Sequence, residues 1–219
     1  MPGDLTLLVD ASSLLYRAFF ALPDTIRAPD GTVVNAAHGF IDMIARLIAT
    51  ERPGGMVCAF DEDWRPAWRV ELLPEYKTHR VAGEAGADGV EGPEEQEPVI
   101  REILGIAGIA CAGAAGFEAE DVIATIAKRA PSPRVGIVSG DRDLFALVAD
   151  PGVFVLYPRK GVSDLARIDE AEIERRYGVP GRRYFDFSVL RGDPSDGLPG
   201  VRGVGEKTAA ALVRAHGSL

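Results

Sequence analysis

The sequence predicts an α/β fold, a mostly parallel β-sheet with helices on both faces. Short apolar runs alternate with stretches of helical period along the 219 residues. The runs are continuously apolar, as strands covered on both faces require. Several of them end on an acid, which places charge outside the carboxyl ends of the strands, where open parallel sheets bind ligands.

The elements follow in order. Leu5 to Asp10 is a short apolar run ending in an acid, and Ser12 opens a helical stretch through Phe20. Ala36 to Ile48 has helical period, with Phe40, Ile41, Ile44, Leu47 and Ile48 on one face, and Pro53-Gly54-Gly55 ends it. Met56 to Asp61 is a second apolar run ending in an acid, followed by a short helix from about Trp64 to Leu72, stopped by Pro74. Val81 to Pro93 is rich in Gly, Ala and acids without apolar period, and reads as a mobile loop. A helix from Glu94 to about Leu104 precedes a third strand over Ile109 to Ala112. An acidic stretch then starts another helix. Arg134 to Ser139 and Val153 to Tyr157 are the fourth and fifth strands. Helices near Asp169 to Tyr177, Arg182 to Leu190 and Glu206 to Ala215 complete the chain, with a Gly/Pro/Asp-rich loop from Arg191 to Gly205 between the last two.

Composition narrows the function. A net charge of −9 argues against a nucleic-acid coat protein, which would be basic. It is compatible with a nuclease that gathers acids at its centre and bases at its rim. No run approaches the ~20 apolar residues of a membrane span, and Met1 to Asp4 has no basic region that would begin a signal peptide. Cys58 and Cys111 need no disulfide framework, so a reducing cytoplasm is expected. The histidines His38, His79 and His216 are scattered, without zinc-like spacing.

The acids carry the chemistry. Asp10, Asp61, and Asp141 with Asp143 stand at or just past the ends of the first, second and fourth strands, and the third strand leads into Glu118, Glu120 and Asp121. Taken singly, each has an ordinary explanation as a helix cap or a first-turn acid complementing a helix dipole. Taken together they converge on one edge of the sheet. Two unscreened charges ~4 Å apart repel by about 4 kcal/mol at an effective dielectric near 20, so the cluster calls for cations. Oxygen ligands without His or Cys suit hard divalent ions, and such a site suits in-line attack of water on a phosphodiester.

Two further segments stand out. Tyr76-Lys77-Thr78-His79-Arg80 is either a solvated basic patch or a pair of cations that grip a phosphate, with Arg17 joining them and Tyr76 stacking on a base. Gly192 to Val213 contains Gly-Val-Arg-Gly-Val-Gly before a good helix, where glycines and helix N-terminal amides suit phosphate approach. Arg202 and Lys207 add charge there, and the spacing is not that of a P-loop.

The motifs V-D-A-S-S-L-L-Y-R-A-F, F-D, Y-K-T-H-R, F-E-A-E-D-V-I-A-T-I-A, S-G-D-R-D-L and G-D-P-S-D-G-L-P-G-V-R-G-V-G-E-K-T-A occur in the order found in bacterial 5′ nucleases. The chain resembles this family, the flap endonuclease/5′–3′ exonuclease domains of DNA polymerase I and their stand-alone relatives, over essentially its whole length. The resemblance implies a PIN-like parallel sheet, a helical arch and a helix-three-turn-helix module. The expected division is a catalytic domain over 1–180, with the arch at about 74–105, and a DNA-binding module over 181–219. The module ends soon after its last helix, where the family continues with further helices.

The resemblance also implies roles. Asp10, Asp61, Glu118, Glu120, Asp121, Asp141, Asp143, Asp193 and Asp196 would ligate two or more Mg²⁺ or Mn²⁺ ions or support those ligands. Lys77, Arg80 and Arg17 would act on the scissile phosphate. Tyr76, Gly200, Arg202, Gly203, Gly205, Lys207 and Thr208 would bind DNA, with K⁺ on the carbonyls of the Gly200 to Lys207 region. The expected protein is a cytoplasmic, nucleoid-associated monomer that cuts branched or flapped DNA near single-strand/duplex junctions in primer removal and repair, with RNA-primed 5′ ends also as substrates. Alternatives are a branched-DNA-binding relative with weakened catalysis and a PIN-type ribonuclease. Bacterial members usually carry Glu-Ala-Asp-Asp where this chain has Glu118-Ala119-Glu120-Asp121. Archaeal and eukaryotic flap endonucleases carry Glu-Ala-Glu there, so the resemblance implies that Glu120 is a working ligand.

Overall fold

The computed structural model describes residues 3–78, 92–130 and 133–219. Its centre is a six-stranded sheet in the order β3-β2-β1-β4-β5-β6. The strands are β1 (Leu5–Asp10), β2 (Gly55–Ala59), β3 (Ala110–Ala112), β4 (Arg134–Val138), β5 (Val153–Pro158) and β6 (Leu165–Ile168). The first five run parallel, and β6 returns antiparallel against β5. The helices are α1 (Ala11–Ala21), α2 (Asn35–Glu51), α3 (Ala67–Leu72), α4 (Glu97–Ile106), α5 (Ala119–Arg129), α6 (Glu170–Tyr177), α7 (Tyr184–Arg191) and α8 (Glu206–His216).

The strand period of two explains how one sheet carries two cores. On β1, Leu7 and Val9 point into a cluster with Leu14, Leu15, Phe40 and Leu47 of α1 and α2. Leu8, between them, points to the other face, where Ile123, Phe187 and Ala209 of α5, α7 and α8 pack. Leu7, Leu8 and Val9 have no exposed surface, as expected of a central strand covered on both faces. The five strands read from apolar runs are all present, within two residues of their expected bounds.

Strand β6 is the element that the apolar pattern did not reveal. It has four residues and carries Arg167, whose guanidinium lies 3.5 Å from the centre of the Phe154 ring. Its pairing supplies what its hydrophobicity lacks, and a short charged strand suits a sheet edge. Elsewhere the differences are local. The helix expected from Glu94 begins as a 3₁₀ turn over Pro93–Gln96 before α4. Residues 81–91 of the expected loop lie outside the described residues, as does Arg80. Among the described residues no helix is long and apolar enough to cross a membrane.

Chain order and sheet order diverge at β1: the chain moves outward through β2 and β3, then returns to place β4 on the other side of β1. That reversal leaves a crevice above the carboxyl ends of β1 and β4.

Candidate active site

A cleft of about 1410 Å³ opens at this point. Asp10 ends β1 and caps α1: its Oδ1 accepts from the Ser13 amide at 3.0 Å, and its Oδ2 accepts from the Ser139 hydroxyl at 2.6 Å. The same Ser139 oxygen accepts from the Asp141 amide at 2.9 Å, so one buried serine joins the ends of β1 and β4. Asp141 in turn accepts from the Asp143 amide at 2.8 Å. Ser12 plays a similar part toward β2, its hydroxyl accepting from the Asp61 amide at 2.9 Å. The Asp61 carboxylate accepts from the Ala119 amide at 2.6 Å, at the positive end of α5. Ser12 and Ser139 are site residues that the sequence reading misses; their signal is their place within the motifs, beside acids whose backbone or carboxylate they hold.

The mouth of α5 is densely charged. Glu118 stands at the N-cap and is 3% exposed. Its Oε1 accepts from the Tyr76 hydroxyl at 2.6 Å and from Arg69, and its Oε2 accepts from Lys77. Arg69 of α3 also donates to Glu120 at 2.9 Å and to Asp121 at 2.7 Å. Asp121 caps in return, accepting from the Glu118 amide at 3.1 Å. Helix capping and cation pairing therefore coexist in this stretch. Lys77 is buried and sits at φ +50, a left-handed conformation uncommon for a side chain of its size. Its amide donates to the Asp196 carbonyl at 3.1 Å, and Gly197, at φ +79, lies so close that a Cβ there would come within 2.6 Å of the Glu75 carbonyl. The 193–198 turn thus holds the lysine in place.

One expectation changes. Tyr76 was expected to stack on a base, but it is 5% exposed and its ring lies beneath the Arg69 and Lys77 cations at 5.5 and 5.0 Å. Its aromatic face is spent on those contacts, and its hydroxyl serves Glu118. Arg69, one base in a short helix with no motif around it, gathers three of the expected acids.

The cleft brings together Asp10, Asp61, Glu118, Glu120, Asp141 and Asp193, with Lys77 and Arg17 also on its wall. The Arg17 guanidinium lies over Gly140, where any Cβ would collide with it. Asp121, Asp143 and Asp196 do not line this cleft. Asp143 faces a second cavity of about 640 Å³ with Asp193 and Gly200, and Asp196 is buried in the turn against Lys77. Gly200, Arg202, Gly203, Gly205, Lys207 and Thr208 lie outside the main cleft, along the turn into α8. Gly200 at φ +61 packs against the Arg191 backbone, so turn geometry alone requires that glycine.

The electrostatics show a site short of positive charge. Burial pushes the Asp10 carboxyl up to about 6, with the Asp61 and Asp141 charges adding to the rise against the pull of the Ser139 hydroxyl. Burial, with the Asp141 and Glu118 charges, pushes Glu120 up to about 8 despite Lys77 and Arg69. Burial and then Asp141, Asp193 and Asp196 push Asp143 up to about 7, and burial also raises Asp61. Among the described residues no three Asp, Glu, His or Cys side chains already stand close enough together to grip a cation. The donor chemistry nevertheless fits hard divalent ions: carboxylates only, on separate strand ends, with their charge incompletely balanced.

A stability prediction follows. Acids whose folded-state pKa lies above the unfolded value hold more protons when folded, so the fold gains stability as pH falls through that interval. For Glu120 it runs from about 8 toward 4.5, and for Asp143 and Asp10 from about 7 and about 6 toward 3.8. The metal-free protein is expected to melt higher at about pH 6 than at about pH 8, and Mg²⁺ is expected to raise the melting temperature more at the higher pH. Thermal melts with and without EDTA at both pH values check this, and a metal-free melting point that rises with pH would contradict it.

Fold and cleft together define the class: an α/β protein with a carboxylate cleft where the strand order reverses. Residues 5–178 match the family model of the 5′-3′ exonuclease N-terminal resolvase-like domain, and residues 179–219 match that of the 5′-3′ exonuclease C-terminal SAM fold. The chain belongs to the 5′-3′ exonuclease family. It is 55% identical to a 5′-3′ exonuclease of Streptomyces coelicolor, across 97% of this chain and 72% of the relative. It is 49% identical to a 5′-3′ exonuclease of Mycobacterium tuberculosis, across 97% and 70%. Its fold is similar to that of the flap endonuclease of bacteriophage T5 in a complex with DNA and metal ions, with a TM-score of 0.75 at 20% identity, covering 98% of this chain and 76% of that one.

Proposed function

We propose that the chain is a structure-specific 5′ nuclease that hydrolyses DNA phosphodiesters near single-strand/duplex junctions, leaving a 5′-phosphate and a 3′-hydroxyl. The observation that carries this reading is the carboxylate cleft at the strand reversal, with Lys77 and Arg17 on the same wall. Membership of the 5′-3′ exonuclease family supports it, as do fold relatives solved with DNA and metal ions.

In this reading Asp10, Asp61, Glu118, Glu120, Asp141 and Asp193 hold two or more Mg²⁺ or Mn²⁺ ions. Bound divalent ions supply a water nucleophile at neutral pH and stabilise the leaving oxygen. Asp121, Asp143 and Asp196 support the ligands from outside the cleft. Lys77, paired with Glu118 on the cleft wall, is placed to exchange that carboxylate for a phosphate oxygen, with Arg17 and Arg80 assisting. Gly200, Arg202, Gly203, Gly205, Lys207 and Thr208 hold the duplex backbone, with K⁺ on the carbonyls of that turn. The catalytic unit spans 1–180, with an arch at about 74–105, and the DNA-binding module spans 181–219. The protein acts as a monomer in primer removal and repair, on flapped DNA and RNA-primed 5′ ends.

A 5′-labelled flap substrate tests the reading against a single strand of the same sequence, as DNA and as RNA, and a blunt duplex. The expected result is cleavage concentrated within a few nucleotides of the junction. Equal cleavage of single-stranded RNA without a junction would favour a ribonuclease instead.

A further inference from the structure

Arg69 has no role in the proposed chemistry, yet among the described residues it makes more charged contacts than any other cation at the site. It reaches Glu118, Glu120, Asp121 and the Tyr76 hydroxyl, from a side chain only 17% exposed. Its planar fork lets Nη1 and Nη2 serve different carboxylates: Nη1 takes Glu118 and Glu120, and Nη2 takes Asp121. The helix that carries it is docked independently, since the Trp68 indole donates to the Gly116 carbonyl at 3.0 Å, just before the acidic stretch.

The direction of approach decides what this contact does. Glu118 and Glu120 line the cleft, but Arg69 and Asp121 do not. The guanidinium therefore meets the carboxylates from outside the cleft lining and leaves the cleft to other cations. Lys77, by contrast, pairs with Glu118 from the cleft wall itself.

We infer that Arg69 is a positioning residue for divalent-ion binding: it fixes Glu118 and Glu120 from outside the cleft lining and offsets their mutual repulsion before any ion arrives. The inference rests on reading the cleft as a divalent-ion site. Partners that hold metal-ligating carboxylates in this way are commonly worth 10–100-fold in metal affinity. A lysine keeps the charge but, as a single point, cannot span three carboxylates.

Mn²⁺ binding to the full chain, followed by the electron paramagnetic resonance of free Mn²⁺, tests the inference in wild type, Arg69→Ala and Arg69→Lys. Both variants are expected to bind Mn²⁺ about 10–100-fold more weakly. The midpoint of flap cleavage against Mn²⁺ should rise by the same factor, while kcat at saturating Mn²⁺ recovers and KM for DNA holds. A purely structural role would lower the active fraction without moving that midpoint. Circular dichroism establishes folding, and if Arg69→Ala does not fold, Arg69→Lys decides. Wild-type Mn²⁺ affinity in a folded variant overturns the inference. Failure of wild type itself to bind Mn²⁺ removes the ion site, and the inference with it.

Discussion

Replacing Lys77 with Met is expected to slow flap cleavage by about 10²–10³-fold, the loss typical of one preorganised donor to a developing charge. Lys77 is 4% exposed, is held at φ +50 by the Asp196 carbonyl, and its ammonium pairs with Glu118. A lysine kept in an unfavourable backbone conformation inside an acidic cleft is arranged for its charge. Methionine has similar bulk and would keep the packing, so activity reports the charge. The fold should also lose about 3 kcal/mol, the lower end of the cost of breaking a buried pair, because Arg69 and Tyr76 still contact Glu118. Single-turnover cleavage and a denaturant midpoint measure the two effects separately. Near-normal cleavage by a folded Lys77→Met protein would show that the phosphate is gripped elsewhere.

The second large effect concerns Glu120. Glu120→Gln is expected to lower cleavage by about 10²–10³-fold, whereas Glu120→Asp keeps most of it. The side chain lines the cleft, and burial with neighbouring acids raises its carboxyl to about 8, so an added cation favours its charged form. Glutamine fills the same space and accepts a hydrogen bond from Arg69 but cannot supply the charge. Aspartate supplies the charge one methylene further back. Full activity in Glu120→Gln at ordinary Mg²⁺ would mean that Glu120 serves Arg69 alone.

Much of this was legible in the sequence, for a physical reason. Strands such as Leu5–Asp10 and Arg134–Val138 are buried on both faces, so burial itself writes them as apolar runs. The acids at their ends are visible because nothing else about a buried strand favours a charge there. The parts that were missed depend on contacts between distant segments. Leu165–Ile168 is a strand because β5 offers it an edge. Arg69 looks like a surface base until α3 is laid across α5, 52 residues away at Asp121. Tyr76 sits in a basic run, and only the fold shows that its ring is covered by two cations and its hydroxyl turned to Glu118. The serines illustrate a middle case: Ser12 and Ser139 lie inside the motifs, but only the pairing of β1 with β2 and with β4 reveals what they hold together.

The central claim is that the carboxylates gathered at the ends of β1, β2 and β4 and at the mouth of α5 work by holding divalent ions. Cleavage of a 5′-labelled flap across a Mg²⁺ titration, with EDTA-treated protein as the zero point and Asp10→Asn in parallel, tests it most directly. The account predicts no cleavage without the ion, a rise that saturates with Mg²⁺ in wild type, and little recovery in Asp10→Asn at any Mg²⁺ concentration. Undiminished cleavage by EDTA-treated wild type, or a Mg²⁺ response in Asp10→Asn that matches wild type, would contradict it.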